Sequence, residues 1–306
     1  MLSYHFDHYY YLAWIHVSLA DCYYSQGLYD TALSAYQKSC IEFSEVETLS
    51  PDPIIAECYM SIGKIHDAEK RLDDSLSAFE EARSIVTAVS NRNDKRLPII
   101  EKLLGESKRF NGSLYDADLL KEIANVWFSK EDFNQAESFY LKSLNICKRI
   151  MGDSHPKTAR AIWGIAICER GKGLIDQSIK THLNVAEIFT KCLGTNHPDT
   201  ADMEYNIAFL YADKGDFDTA LVHFYNALKV YIKVHGANHR HVGWTYHDIG
   251  DTYMKAGRFQ EAIETFNLSL SIRLAALGAD SDETIETKES LDKALSAALE
   301  NTKVDA

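Results

Sequence analysis

The chain has 306 residues, 46% of them hydrophobic, with 45 Asp and Glu against 32 Lys and Arg, a formal net charge of -13. That charge repels phosphate backbones and anionic lipid, so we expect neither nucleic acid nor a membrane as partner. No uncharged run reaches the roughly 20 residues of a membrane span. Six cysteines without a CxxC pair favour a reduced, cytoplasmic compartment.

The first predicted helix is crowded with aromatic residues. Its sequence, MLSYHFDHYYYLAWIHV, lacks the basic leader and the small-residue cleavage site of a signal peptide. No capping element precedes it. We therefore expect this face to be covered by a protein partner, by a second copy of the chain, or by a preceding segment of a longer protein.

Six turn motifs recur along the chain, with spacings of 42 or 43 residues inside two groups. The reference copy is Gly215-Asp216-Phe217-Asp218-Thr219-Ala220. The other five begin at Gly27, Lys70, Glu131, Gly173 and Gly257. Amphipathic helical patterns flank each turn, which predicts six helix-turn-helix repeats.

Each repeat pairs a small residue on its first helix with a ring on its second helix. The small residues are Ala20, Gly63, Ala124, Ala166, Ala208 and Gly250, each preceded by an aliphatic residue: Leu19, Ile62, Ile123, Ile165, Ile207 and Ile249. The rings are Tyr36, Phe79, Tyr140, His182, Phe224 and Phe266. Small residues facing large ones at fixed offsets predict close helix packing, with the rings filling the gap between repeats.

Between the second and third repeats the step is 61 residues, which leaves 19 extra residues around 93–112. Pro98 disfavours an unbroken helix there, because it pushes Leu97 out of the α region. An ordinary insertion, a hinge between arms of two and four repeats, and a mobile lid remain open. We expect segments at 1–92, 93–114 (insertion or hinge), 115–280 and 281–306 (closing helix and tail).

Two later repeats begin with His155-Pro156 and His197-Pro198, which are 42 residues apart, and His239-Arg240 follows after another 42. Proline suits the first turn of a helix, so we predict helices that begin at these prolines. The cluster of His235, His239, His241 and His247 has the composition of a metal site. We expect no metal there, because Gly236 interrupts the helix that would align the first two.

The last predicted helix starts with the capping pattern Ser281-Asp282-Glu283-Thr284. Helical spacing places Ile285, Leu291, Leu295 and Leu299 along one face, which we expect to pack on the last repeat. A stack of repeats needs such a closing helix because its final apolar face would otherwise be exposed.

The small residue, turn glycine, second small residue and ring of each unit resemble the tetratricopeptide repeat over nearly the whole chain. The 42-residue period and the His-Pro openings resemble the kinesin light chain subtype of that family. The resemblance implies an all-α, right-handed superhelical solenoid of helix-turn-helix repeats with a C-terminal capping helix. It also implies that the first helices line a concave groove that binds peptides.

The resemblance places candidate peptide-binding residues on the first helices of repeats three to six. They are Lys121, Asn125, Phe128, Arg160, Trp163, Arg170, Tyr205, Phe209, Trp244 and His247. Their spacing of three or four residues puts those of one helix on one face. Rings and arginines beside charges are typical of binding surfaces.

Basic residues on this face cluster beside rings, with Lys121, Arg160 and Arg170 near Phe128 and Trp163 in sequence. An extended peptide with an aromatic anchor flanked by Asp or Glu would suit both features, because carboxylates pair bidentately with guanidinium groups. Kinesin light chain repeats take acidic, tryptophan-bearing cargo peptides, so the resemblance implies the same ligand class. No heptad coiled coil precedes the repeats, which favours a stand-alone adaptor over a motor subunit.

We therefore predict a non-catalytic protein-interaction scaffold or adaptor without cofactor or metal. The motifs GxSxG, GxxxxGK[ST], GxGxxG and HExxH do not occur. The alternatives are a regulatory peptide sensor whose arms change geometry on ligand binding, a cargo-binding fragment of a kinesin light chain, and an enzyme that uses the polar groove.

Overall fold

The computed structural model describes residues 2–44, 53–90 and 114–304, and side chains within 12–44, 54–88 and 114–301. The described residues form thirteen helices and no strand, which confirms the predicted all-α fold of helix-turn-helix repeats. The expected insertion at 93–112 lies outside the described residues, so its three alternative roles stay predictions.

The helices pair into six hairpins followed by a closing helix. In chain order they are α1 (Leu2–Ser25), α2 (Tyr29–Ser44), α3 (Pro53–Ala68), α4 (Leu72–Ser90), α5 (Leu114–Ser129), α6 (Phe133–Met151), α7 (Pro156–Gly171), α8 (Ile175–Leu193), α9 (Pro198–Asp213), α10 (Phe217–His235), α11 (Arg240–Lys255), α12 (Phe259–Leu277) and α13 (Asp282–Val304). Odd-numbered helices up to α11 are the first helices of the repeats, and even-numbered helices are the second.

The chain divides into two compact units, Met1–Asp153 and Ser154–Ala306. Repeats one to three form the first unit, and repeats four to six with α13 form the second. The third repeat thus groups with the first two, and the expected segment boundaries around the insertion stay a prediction.

The turn inside each hairpin needs a left-handed residue. Gly215 fills this position in the fifth repeat with φ at 83°, a conformation that glycine adopts without a Cβ penalty. Lys70 and Glu131 take the equivalent positions in the second and third repeats, with φ at 60° and 61°. These two side chains hold a conformation that costs L-residues roughly 1–2 kcal/mol.

The predicted contact between small residue and ring holds each hairpin together. All six rings and all six small residues are buried. A Cβ added to Gly63 would lie 2.7 Å from Phe79, and one added to Gly250 would lie 2.6 Å from Phe266. In these two repeats the ring therefore packs on the small residue of its own hairpin, rather than between repeats as the sequence suggested.

A second close helix crossing was not predicted. Ser39, Ser143 and Ser269 on second helices donate hydrogen bonds over 2.7–3.0 Å to the backbone oxygens of Ala13, Ala117 and Gly243 on the first helices. All three serines are buried. In each of these three hairpins the two helices thus meet at two points: where the small residue faces the ring, and where the serine bonds to the first helix.

The helices α7 and α9 begin at Pro156 and Pro198, as predicted. The preceding His155 and His197 cap them, because each Nδ1 accepts the backbone N–H two residues later at 3.1 Å. His239 caps α11 in the same way at 3.3 Å. The recurring histidine is therefore an N-cap, whereas the sequence predicted only that the neighbouring prolines begin the helices.

The closing helix α13 is capped as predicted, since Ser281 Oγ accepts the Thr284 N–H at 3.2 Å. Its predicted packing face is wrong for Ile285, Leu295 and Leu299, which are 45%, 43% and 64% exposed. The buried residues are Thr284, Thr287, Leu291 and Ala294. The reason lies in α12, where the buried Arg273 guanidinium donates to Thr287 Oγ1 at 2.7 Å and draws the polar side of α13 inward.

Most aromatic side chains of α1 lie outside the described residues. Trp14 is described and packs edge-on against Phe43 of α2, with ring centroids 6.5 Å apart. Leu19, the predicted core aliphatic of the first repeat, is 42% exposed. Self-association or a partner contact through this helix stays a prediction.

Candidate functional site

The ten candidate residues fall into both compact units. Lys121, Asn125 and Phe128 lie on α5 in the first unit, and the other seven lie on α7, α9 and α11 in the second: Arg160, Trp163, Arg170, Tyr205, Phe209, Trp244 and His247.

In the first unit the candidate side chains contact their own repeat. Lys121 Nζ lies 3.2 Å from Glu122 Oε1. Asn125 donates to Glu122 Oε2 at 3.0 Å and accepts from the Tyr140 hydroxyl at 2.5 Å. Phe128 packs on Phe133 with centroids 5.4 Å apart. Asn125 thus joins the two helices of repeat three.

In the second unit, side-chain contacts join the first helix of one repeat to the next odd-numbered helix, which is the first helix of the following repeat or the closing helix α13. We call these contacts cross-repeat ties. Arg160 on α7 pairs with Asp199, 39 residues later. Arg170 donates through Nε to Asp213 Oδ2 at 3.0 Å, 43 residues later, and its second nitrogen lies 2.8 Å from the same oxygen. Both candidate arginines therefore already hold a carboxylate.

Two further cross-repeat ties follow the same spacings. The Tyr205 hydroxyl donates to Asp248 Oδ2, 43 residues later, and the Trp244 indole N–H donates to Glu283 Oε2 at 2.6 Å, 39 residues later. Asp199, Asp248 and Glu283 were not among the candidate residues. Each of these acids lies 39 or 43 residues after a candidate residue, close to the 42-residue repeat period. Looking in the sequence for acidic residues at these separations would have found them.

Rings form a continuous cluster on α9 and α10. The Tyr205 centroid lies 5.0 Å from Phe209, 5.6 Å from Phe224 and 6.3 Å from Tyr231, all in edge-on arrangements. The guanidinium of Arg170 lies over the Phe209 ring at 5.5 Å, within the range of a cation–π contact. The structure thus brings Arg170, Tyr205 and Phe209 together.

Trp163 is half-buried on α7 and packs against the cluster of Ala159, Val185, Phe189 and Met203. Its indole Nε1 is buried and has no hydrogen-bond partner among the described residues. Most buried polar groups find a partner, so this donor is an exception among the buried polar atoms.

His247 does not line an accessible face. It is 5% exposed, its Nδ1 lies 3.2 Å from Thr287 Oγ1, and its ring packs edge-on against Phe266 at 5.4 Å. Burial lowers its pKa, while the Asp251 carboxylate acts in the opposite direction. This burial corrects the expectation that His247 is a groove residue.

Burial also shifts the acid–base properties of the Tyr205–Asp248 tie. It raises the pKa of Asp248 to about 7, against the opposing effect of the Tyr205 hydrogen bond. The pKa of Tyr205 is raised by burial and by the Asp248 charge. A carboxyl group that titrates near neutrality therefore lies directly beside the ring cluster.

Three histidines form a stack where α10 ends and α11 begins: His235 at the end of α10, His239 in the loop and His241 in the first turn of α11. Ring centroids are 4.5 Å apart for His235 and His239 and 5.1 Å apart for His239 and His241. Across the described part of the chain, no three His, Cys, Asp or Glu side chains are placed to hold a metal ion. None of the six cysteines, all of which lie in the described ranges, forms a disulfide.

Comparison with known proteins supports the repeat pattern directly. Two family models, each described as tetratricopeptide repeat, match residues 199–275 and 117–157. The chain contains tetratricopeptide repeats. Proteins with these repeats generally mediate protein–protein interactions and are generally non-catalytic scaffolds.

Relatives of known structure share this fold. BtubC (BKLC) from P. vanneervenii has a TM-score of 0.62 and 17% identity, over 82% of this chain and 92% of that one. Kinesin light chain TPR-like repeats from Podosopora anserina, themselves described as putative, give a TM-score of 0.54 and 17% identity over 62% and 91%. At these identities the likeness concerns the fold.

A curated relative, mitochondrial tetratricopeptide repeat protein 19 from Rattus norvegicus, is 23% identical over 127 residues. The match spans 42% of this chain and only 34% of that protein. Among the described helices, none combines the length and apolar character that crossing a membrane requires.

Proposed function

We propose that the chain is a non-catalytic scaffold or adaptor that captures an extended acidic peptide with an aromatic anchor. The binding face lies on the first helices α7 and α9. The observation that carries the proposal is Arg170, whose guanidinium holds Asp213 at 2.8 Å while lying 5.5 Å over the Phe209 ring.

On this face, a carboxylate of the peptide can take the place of the aspartate that pairs with each arginine. The side chains of Arg170 and Asp213 are 40% and 36% exposed, and those of Arg160 and Asp199 are 45% and 24% exposed. Exposed ion pairs contribute about 0–1 kcal/mol. A peptide carboxylate therefore replaces the internal aspartate at small cost, and a bidentate geometry strengthens the new pair.

The aromatic residues supply the apolar part of the face. Phe209 and Trp163 are both partly exposed, so both side chains offer apolar ring surface to a peptide. Aromatic and arginine side chains dominate the binding energy of typical interfaces. In the proposal, the peptide ring packs on Phe209 and its flanking carboxylates meet Arg160 and Arg170.

Within the second unit, Trp244 extends the proposed face to the sixth repeat. In the first unit, Lys121, Asn125 and Phe128 are proposed as a separate peptide-binding face. His247 is left out because it is buried. We further propose that the repeats belong to the kinesin light chain subtype, which the 42-residue spacing of the three histidine caps supports.

The test is a fluorescence anisotropy titration with a labelled peptide that carries one tryptophan flanked by Asp and Glu. Peptides with alanine for the tryptophan, or with lysine for the acids, serve as ligand controls. Arg160→Glu and Arg170→Gln should each weaken binding about tenfold or more, because each leaves a peptide carboxylate unpaired. Binding should also weaken as salt rises.

Arg258→Gln is a matched control variant. Arg258 lies 4.6 Å over Tyr253 and donates to Glu261 at 3.0 Å, so it copies the chemistry of Arg170 at a turn outside the proposed face. Its replacement should leave affinity unchanged. An Arg160→Glu variant with wild-type affinity, or equal losses in Arg258→Gln and Arg170→Gln, would refute the placement.

A further inference from the structure

A cavity of about 540 Å³ opens in the first unit between α2, α3 and α4. Ligand pockets commonly have volumes of about 300–1,000 Å³. Leu33, Ile62 and Ala78 supply its apolar wall, and its polar lining includes His66, Asp74 and Glu81. None of these residues belongs to the candidate peptide-binding set.

The cavity exists because side chains that fill the equivalent space in other repeats are replaced here. In the fifth repeat, Tyr211 stacks on His223 at 5.5 Å, and His223 in turn contacts Glu204 at 2.8 Å. The corresponding residues of the second repeat are His66 and Ala78. The small Ala78 side chain leaves the room that the His223 ring occupies in the fifth repeat.

The junction of the fifth and sixth repeats closes the same space in another way. The hydroxyl groups of Tyr225 and Tyr253 lie 3.2 Å apart there. Gln37 and His66 hold the corresponding positions at the junction of the first and second repeats. Smaller residues on both sides therefore keep this junction open.

The lining carries an excess of negative charge. Asp74 and Glu81 are exposed, and neither has an ion-pair partner among the described residues. The cation of the lining, Arg71, already pairs with Glu69. Asp74 and Glu81 are seven residues apart on α4, so they share a face at a separation of about 10 Å along the helix axis.

His66 adds an unsatisfied polar group. It is 9% exposed, it lines the cavity, and its Nδ1 is buried without a hydrogen-bond partner among the described residues. Burial and the Arg71 charge lower its pKa. The ring is therefore neutral at physiological pH and does not repel a cation.

We propose that this cavity binds a linear aliphatic polyamine. One ammonium group pairs with Asp74 and a second pairs with Glu81, while the alkyl chain between them lies on Ile62 and Ala78. The carboxylate separation of about 10 Å selects amines of the length of spermidine or 1,8-diaminooctane over the shorter putrescine. The site is independent of the proposed peptide-binding face.

Isothermal titration calorimetry on the full chain tests this with spermidine, 1,8-diaminooctane, putrescine and 8-amino-1-octanol. We expect saturable binding of the two long polyamines. Putrescine and the aminoalcohol, which keep only one correctly placed ammonium, should bind about fivefold or more weakly, since an exposed ion pair contributes up to about 1 kcal/mol. Absence of saturable binding, or equal affinity for 8-amino-1-octanol and 1,8-diaminooctane, would overturn the proposal.

Variants distinguish binding of the amine in this cavity from nonspecific electrostatic attraction of a cation to an acidic protein. Asp74→Asn and Glu81→Gln change exposed residues and should each weaken 1,8-diaminooctane binding about fivefold. Ala78→Phe, which copies Phe139 of the third repeat, should abolish binding by filling the cavity. Glu261→Gln changes the counterpart of Asp74 in the sixth repeat and should have no effect. Equal losses in Glu261→Gln and Asp74→Asn would overturn the site.

Discussion

The Tyr140 hydroxyl donates a hydrogen bond to Asn125 Oδ1 at 2.5 Å and joins the two helices of the third repeat. Tyr36 makes the same contact with Asp21 in the first repeat. The repeats that carry Phe or His at the ring position have Lys64, Ile167, Phe209 and Asp251 in place of Asn125. In the two repeats whose ring residue is a tyrosine, the first helix thus supplies an acceptor for the tyrosine hydroxyl.

Tyr140→Phe should lower the free energy of unfolding by about 1 kcal/mol, since it removes a partly buried hydrogen bond. A double-mutant cycle with Asn125→Ala, followed by urea denaturation, should give a coupling energy of about 1 kcal/mol between the two residues. Additive effects of the two changes would show that the contact contributes nothing.

Gly250→Ala should destabilise the chain, although alanine is the better helix former by about 1 kcal/mol. The added Cβ would lie 2.6 Å from the Phe266 ring, and overpacking costs about 1–3 kcal/mol. Phe266→Leu should reduce the penalty of Gly250→Ala, because it removes the atoms in conflict. Urea midpoints of the four proteins measure this, and a more stable Gly250→Ala variant would contradict it.

His197→Ala should cost about 1 kcal/mol of stability, because α9 loses the Nδ1 acceptor for its exposed Asp199 N–H. His197→Asn should retain most of that stability, since asparagine is among the best N-cap residues. Thermal and urea unfolding of both variants provide the comparison. Equal stability of the alanine and asparagine variants would rule out a capping role.

Glu131→Gly should stabilise the chain by up to about 1 kcal/mol. Glu131 has φ at 61°, and glycine removes the left-handed penalty of about 1–2 kcal/mol at some cost in unfolded-chain entropy. Gly173→Ala, at the equivalent position of the fourth repeat, should have the opposite effect and lower the free energy of unfolding. Urea denaturation decides the matter, and a destabilised Glu131→Gly variant would show that the turn is unstrained.

Asp248→Asn should raise stability at neutral pH and leave it nearly unchanged near pH 4. The pKa of Asp248 is raised from 3.8 to about 7 by burial. Between about pH 4 and pH 7 the Asp248 carboxyl is ionised in the unfolded chain but still protonated in the folded chain, so the free energy of unfolding falls as pH rises. The fall is complete above about pH 7. Asparagine removes this loss. Urea midpoints measured from pH 4 to pH 8 should show a flatter profile for the variant than for the parent chain.

The features that the sequence predicted well are local. A proline at the first helical position marks the start of α7 and α9 wherever the helix later packs. The turn glycines and the pairing of small residues with rings also depend on residues within one hairpin. Such signals need no knowledge of neighbouring repeats.

The features that were missed depend on the placement of one repeat against the next. The sequence identified Arg160 and Arg170 as free cations, but their partners Asp199 and Asp213 lie on the following first helix. The face of α13 was misjudged for the same reason. Hydrophobic spacing favoured Leu295 and Leu299, whereas the buried Arg273 makes Thr287 the inward residue.

The cross-repeat ties restrict which repeats of this chain can be exchanged in a chimera. Each tie joins a residue of one first helix to an acid of the next odd-numbered helix at a separation of 39 or 43 residues. A chimera that replaces the fifth repeat alone therefore breaks two sets of ties, one with the fourth repeat and one with the sixth. Blocks that run from the middle of one first helix to the middle of another, such as Trp163 to Tyr205, would also divide them. The module that keeps all of these ties runs from the loop after Gly152 through α13, which is repeats four to six together with the closing helix.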